Sequence, residues 1–210
     1  MKLIGFVCAL ALMGAVGCGD DSDGNTGGSG GSTGGTGGSA ATGGTGGGTG
    51  GMGGTGAVST DACLNAEDTA VFEAATYTNA GNETFTGDDA VAEVGGDCVL
   101  GSPSLVSNGC GAETGAALAN PTDENIGALV TCVEVCIAEQ GFDLTAECMS
   151  CYGASVSCGA AFCTGPCASD VNAPACIECR CGGNAADANC FGDFDVCSGL
   201  VRDPDPCAAP

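Results

Sequence analysis

Sixteen of the chain's 18 cysteines fall between Ala57 and Pro210, more than one residue in ten of that stretch. That density constrains the fold more than any apolar pattern does. Sulfur at this level is spent either on disulfides in an oxidising compartment or on thiolates for metal or redox work. The stretch has 154 residues, enough to bury the core of one domain or two small ones. Its apolar inventory is modest: no Trp, and Phe72, Phe85, Phe142, Phe162, Phe191 and Phe194 with Tyr77 and Tyr152 as the aromatics.

The other two cysteines, Cys8 and Cys18, lie in an opening of a different kind. Residues 1–17 begin with one Lys, continue as an apolar run from Leu3 to Val16, and end in small residues. The run is short of the ~20 residues a membrane span needs. Its layout is that of an export signal. The exit "AVGC", Ala15 to Cys18, resembles the lipobox of bacterial lipoproteins, in which the cysteine takes the lipid and becomes the new N-terminus. Leu is commonest at the first of those four positions, where this chain has Ala15. An ordinary cleaved signal that happens to hold a Cys is the plainer alternative.

Behind Cys18, residues 19–56 hold 20 Gly, 7 Thr and 4 Ser among 38 positions. Such a composition buries nothing, so 18–56 is read as a lipidated cysteine followed by a disordered tether. Its r.m.s. span is about 35 Å as a flexible coil and its reach about 130 Å fully extended. The parity of the cysteines fits this division. With Cys8 gone and Cys18 acylated, an even set remains for disulfides. That set is Cys63, Cys98, Cys110, Cys132, Cys136, Cys148, Cys151, Cys158, Cys163, Cys167, Cys176, Cys179, Cys181, Cys190, Cys197 and Cys207. Sixteen cysteines allow about two million pairings, so connectivity stays open.

Residues 57–210 are read as one cysteine-rich helical domain. "DACLNAEDTAVFEAA" predicts a short helix from Leu64, Ala70, Val71 and Ala74. "TNAGNETFTGDDAVAEVGGDC" reads as turn-rich. A longer helix is expected from Asn120 as cap and Pro121 as first residue, through Ile126, Leu129, Val130, Val133 and Ile137, to Gly141. Another starts near Thr145 and carries Cys148, Cys151 and Cys158. The octet "CYGASVSC" (Cys151 to Cys158) returns as "CFGDFDVC" (Cys190 to Cys197). Each is preceded by cysteines four apart and then three apart. The expectation is two related helical hairpins, about 132–158 and 163–197, stapled internally and packed on each other. Tyr152 and Phe191 would fill the space between helices, with Gly153 and Gly192 letting them approach.

The chemistry that these residue types permit is narrow. Beyond Lys2 the chain has neither His nor Lys, which removes Ser-His-Asp, Cys-His and Ser-Lys catalysis and every His-ligated metal centre. Nothing singles out a carboxylate pair for glycoside chemistry. The expectation is therefore no enzyme, no catalytic residue and no cofactor. The pairs Cys148/Cys151 and Cys176/Cys179 have thioredoxin-like spacing, but Glu147 and Glu178 beside them raise a thiol's pKa rather than lower it. Twenty-four residues separate the two pairs, beyond the usual zinc-ribbon range. Cys132/Cys136 and Cys163/Cys167, four apart on helices, resemble the thiolate ladders of bacterial copper-storage bundles. Cu(I) or other soft-metal binding is accordingly the alternative function. "DDSDGN", Asp20 to Asn25, opens like a calcium loop without its closing Glu. Twenty-six acids against three basic residues repel nucleic acid and anionic lipid surfaces, so no nucleic-acid partner is expected.

The "AVGC" exit, the Gly/Thr/Ser tether and the run from Cys132 to "CSGL" together resemble the cysteine-rich lipoproteins of myxobacterial predatory and social soil bacteria. The resemblance implies an exported protein lipid-anchored through Cys18 to the cell envelope, and implies no activity. Gly19 behind that cysteine suggests the outer membrane. The fold class expected is mainly α, a small disulfide-rich domain of short helices behind a disordered Gly-rich tether. The role expected is structural or partner-binding, with the partner unidentified.

Overall fold

The computed structural model describes residues 60–168, 170–202 and 204–208. The signal segment 1–17, the lipobox cysteine Cys18, the tether 18–56 and the calcium-like Asp20–Asn25 lie outside the described residues. Within them the domain is mainly α: helices α1 (Ala66–Ala74), α2 (Asp88–Leu100), α3 (Gly111–Ala119), α4 (Asp123–Glu139), α5 (Ala146–Cys167), α6 (Pro174–Arg180) and α7 (Cys190–Ser198). A two-stranded antiparallel hairpin, β1 (Thr76–Thr78) and β2 (Thr84–Thr86), pairs Tyr77 with Phe85 between α1 and α2.

Helix starts follow local chemistry. Asn65, Thr122, Thr145 and Asn189 each turn a side-chain oxygen onto a backbone N–H of the first turn of α1, α4, α5 and α7. The start of α4 differs from expectation by one cap. Asn120 ends α3 and Thr122 begins α4. Pro121 separates them because it can supply no N–H to either.

The segment read as turn-rich forms the hairpin and then the thirteen residues of α2. Gly95 and Gly96 lower helix propensity there, yet Gly95 is demanded by packing. A Cβ on it would sit 2.8 Å from Val156 Cγ2 of α5. Close approach of two helices outweighs the local preference.

α5 is the axis of the domain. It packs against α2, α3, α4, α6 and α7, and Cys148, Cys151, Tyr152, Ser157, Cys158 and Cys163 along it are buried. It crosses α4 at Gly153, where a Cβ would meet Glu134 Cγ at 2.9 Å and Val130 Cγ1 at 3.2 Å. Tyr152 next to it is almost wholly buried, with its ring 4.9 Å from that of Phe194 in an edge-to-face arrangement and 6.3 Å from Phe72. Val91, Val94, Leu129, Val133 and Ile137 complete the apolar centre.

The two expected hairpins require correction. Antiparallel helix pairs exist on both sides, but they share α5, which runs from Ala146 through Cys167 without a break. The cysteines 163 and 167, read as the opening of a second unit, are its last turns. The halves 132–158 and 163–197 are thus not separate modules. Gly192 also serves differently from Gly153. A Cβ there would strike the side chain of Asn189, so this glycine protects the cap of its own helix.

A methyl group at 153 has no room, whereas one at Gly127 of α4 meets nothing within 4 Å. Gly153→Ala is therefore expected to destabilise the oxidised domain by about 1–3 kcal/mol. Gly127→Ala is expected to stabilise it by about 0.4–1 kcal/mol. Urea midpoints of the two variants, read at constant m-value, check the pair of signs.

Candidate functional site

The sixteen cysteines beyond Cys18 form eight disulfides: 63–148, 98–136, 110–132, 151–197, 158–190, 163–179, 167–176 and 181–207. The repeated octets prove to be partners. Cysteines seven apart complete two helical turns and share a face. In α5 these are Cys151 and Cys158; in α7 they are Cys190 and Cys197. The helices run antiparallel, so the first cysteine of each octet bonds the last of the other. Lower down, Cys163 and Cys167 bond Cys179 and Cys176 of α6 by the same antiparallel logic. The first unit is not stapled internally as expected. Cys132 and Cys136 of α4 instead grip the start of α3 and the end of α2.

This pairing decides the candidate chemistries. Neither C-x-x-C pair closes on itself: Cys148 and Cys151 go to Cys63 and Cys197, and Cys176 and Cys179 go to Cys167 and Cys163. Cys132, Cys136, Cys163 and Cys167, the positions matched to a copper ladder, hold their sulfurs in disulfides, which are not thiolate donors. Among the described residues no group of three or more His, Cys, Asp or Glu is placed to hold a metal ion. Eight disulfides belong to an oxidising environment outside the cytosol. No helix among the described residues is long and apolar enough to cross a membrane.

Two polar clusters were not anticipated. Asp68 of α1 is fully buried. Its carboxylate accepts from the backbone N–H of Thr145 and from the Thr145 hydroxyl, both at 2.7 Å, and from Asn65 Nδ2. It thereby ties α1 to the start of α5, beside the Cys63–Cys148 bridge. The local part was legible, because Asn65-x-x-Asp68 is close to a capping box. The partner 77 residues on was not.

The second cluster gathers both cations of the domain. The guanidinium carbons of Arg180 and Arg202 lie 3.8 and 4.1 Å from the centroid of Phe191. Arg202 also pairs with Asp195 and donates to the carbonyl of Phe191. The Arg180 guanidinium is pulled down to about 10 by burial and by Arg202, which still leaves it charged at neutral pH.

Other shifted groups are scattered. Burial and the hydrogen bond to Asp97 push Tyr77 up to about 12. Tyr152 is raised strongly by burial, then by Asp88, Asp89 and Asp68. Burial raises Glu134 at the α4–α5 crossing and Asp193 on α7. No two of these converge on a cleft as an acid and a base would. Two surface cavities, about 320 and 440 Å³, are open to solvent: one lies beside α4, the other between α1 and the α4–α5 turn. Comparison with protein-family models, curated proteins and solved structures finds no match to this chain.

The bridges and the raised carboxyl each lead to a measurement. Alkylation of the denatured, unreduced protein is expected to label none of the sixteen cysteines. A non-reducing peptide map should join the 151–158 and 190–197 segments twice; ten or more reactive thiols would refute the pairing. For Glu134, the unfolded chain ionises first as pH rises, since the folded carboxyl titrates higher. Stability is therefore lost between its ordinary value near 4.5 and its folded value. Glu134→Gln is expected to raise Tm at pH 7 relative to wild type, with the advantage vanishing below pH 4.

Proposed function

We propose that the protein is a lipid-anchored, disulfide-stapled component of the cell envelope with a structural or partner-binding role and no catalytic activity. The observation that carries this reading is the closure of the sulfur inventory. The sixteen cysteines from Cys63 to Cys207 bond one another. No bridge requires Cys18, which stands at the lipobox-like exit and is left for acylation.

The rest of the chain is consistent with that use. An acyl anchor at Cys18 holds the chain to the bilayer. Residues 19–56 have the composition of a spacer with a reach of about 130 Å. The domain beyond is cross-linked along most of its length. Each bridge contributes about 2–4 kcal/mol by restricting the unfolded chain, though overlapping loops do not add fully. The two arginines, the only cleavage points for Lys/Arg-specific proteases after Lys2, are both packed on Phe191. Such a construction suits long residence in a degradative exterior, on the outer leaflet of the envelope.

Cys18→Ser, expressed in a bacterium with a lipoprotein export pathway, is expected to move most of the protein from the membrane fraction to the soluble fraction or the medium. Labelled fatty acid should mark the wild type and not the variant. Unchanged membrane retention of the variant would refute the anchor.

A further inference from the structure

The cavity of about 320 Å³ is an open groove between the outer face of α4 and the loop joining α2 to α3. Ala128, Thr131, Cys132 and Val135 form its floor, at the three- and four-residue steps that share one helical face. This is not the stripe that faces the core. Leu129, Val133 and Ile137 on the other side of α4 are fully buried, while Val135 is 54% exposed. Val106, beside the wall residue Ser107, is 77% exposed. Large aliphatic side chains left in water next to a concave surface are a feature of binding faces.

Two further observations say what such a face accepts. First, the groove is rigid before anything enters it. The bridges 98–136 and 110–132 join the end of α2 and the start of α3 to α4 at the groove itself. An occupant therefore meets a preformed shape and incurs little ordering cost. Second, its charge has one sign. Glu113 and Glu139 are the ionisable side chains that line it. The cations that could neutralise them, Arg180 and Arg202, are held on Phe191. The whole chain carries a formal net charge of −23.

We propose that this groove binds a peptide segment of a partner protein that presents one or two aliphatic side chains flanked by lysine or arginine. The aliphatic groups would lie along Ala128, Cys132 and Val135, and the flanking cations would meet Glu113 and Glu139. A second copy of the chain is a poor occupant, since it brings a net charge of −23 and both its domain cations are engaged elsewhere. The volume lies at the lower end of small-ligand clefts, which suits a short segment rather than a folded face. The groove stands independently of the lipid anchor: if Cys18 proved unmodified, this proposal would be untouched.

The test uses the full oxidised chain and three synthetic peptides. One alternates Leu and Lys, the second replaces every Lys by Glu, and the third replaces every Leu by Ser. Isothermal titration is expected to show saturable binding of the first alone, with a Kd below about 1 mM that weakens as salt rises. Val135→Asn, and separately Glu113→Gln with Glu139→Gln, should each weaken it at least about tenfold, while Val196→Asn on exposed α7 should not. Near-UV circular dichroism confirms that each variant retains its packing. Absence of saturable binding by the Leu/Lys peptide overturns the proposal. Equal binding of the Ser/Lys peptide, or equal losses in the Val135 and Val196 variants, overturns it as well.

Discussion

Five of the eight bridges start from one helix. α5 sends Cys148 to Cys63, Cys151 and Cys158 to α7, and Cys163 and Cys167 to α6. α4 packs against it and sends two more, to α2 and α3. Helices α2, α6 and α7, and the residues just before α1 and α3, are therefore bonded to one member of this central pair. A domain without Trp and with few aromatics has little apolar area to spend on cohesion. Sulfur fills much of that interior while also shortening the loops of the unfolded chain. Eleven of the sixteen cysteines are among the buried core residues with exposures of 5% or less, so the bonds themselves are part of the packing.

Non-covalent ties operate where the bridges stop. Asp68 joins α1 to the first turn of α5, and the placement of a carboxylate at that helix start is favoured by the unsatisfied N–H groups there. Ala62 and Cys63 donate their backbone N–H groups to the carbonyls of Cys197 and Ser198, which have no partner within α7. The beginning and the end of the domain thus close on each other. On the far side, Arg180 and Arg202 clasp Phe191, and the 181–207 bridge holds the tail near them. Each tie uses a polar group that would otherwise be costly to bury.

Much of the architecture was legible because it rests on short-range rules. The helix start at Thr145, the short helix read from Leu64, Ala70, Val71 and Ala74, and the periodicity of α4 are all local. What misled was also local. Gly95 and Gly96 made α2 look like a turn, since the cost of a helical glycine is written in the sequence and the neighbour that requires it, Val156, is not. The repeated octet likewise looked like two modules. Its symmetry is real, but it relates two helices that bond each other, not two hairpins that each bond themselves. The groove beside α4 was not anticipated, because nothing in a residue's identity says which of a helix's two apolar faces will be left uncovered.

The amino-acid sequence by itself determined that this is a cysteine-dense domain behind a Gly-rich spacer, poor in cations and without the His and Lys that most catalysis needs. Composition suffices for that, because cysteine density, charge and missing side chains do not depend on conformation. The tertiary structure alone decided which sulfur meets which. A disulfide forms only where two Cα atoms lie within about 4.4–6.8 Å, and here those approaches are set by antiparallel α5 and α7, by the glycine crossing of α4 and α5, and by the buried Asp68. The same sixteen cysteines admit about two million pairings on paper; helix packing selects one of them.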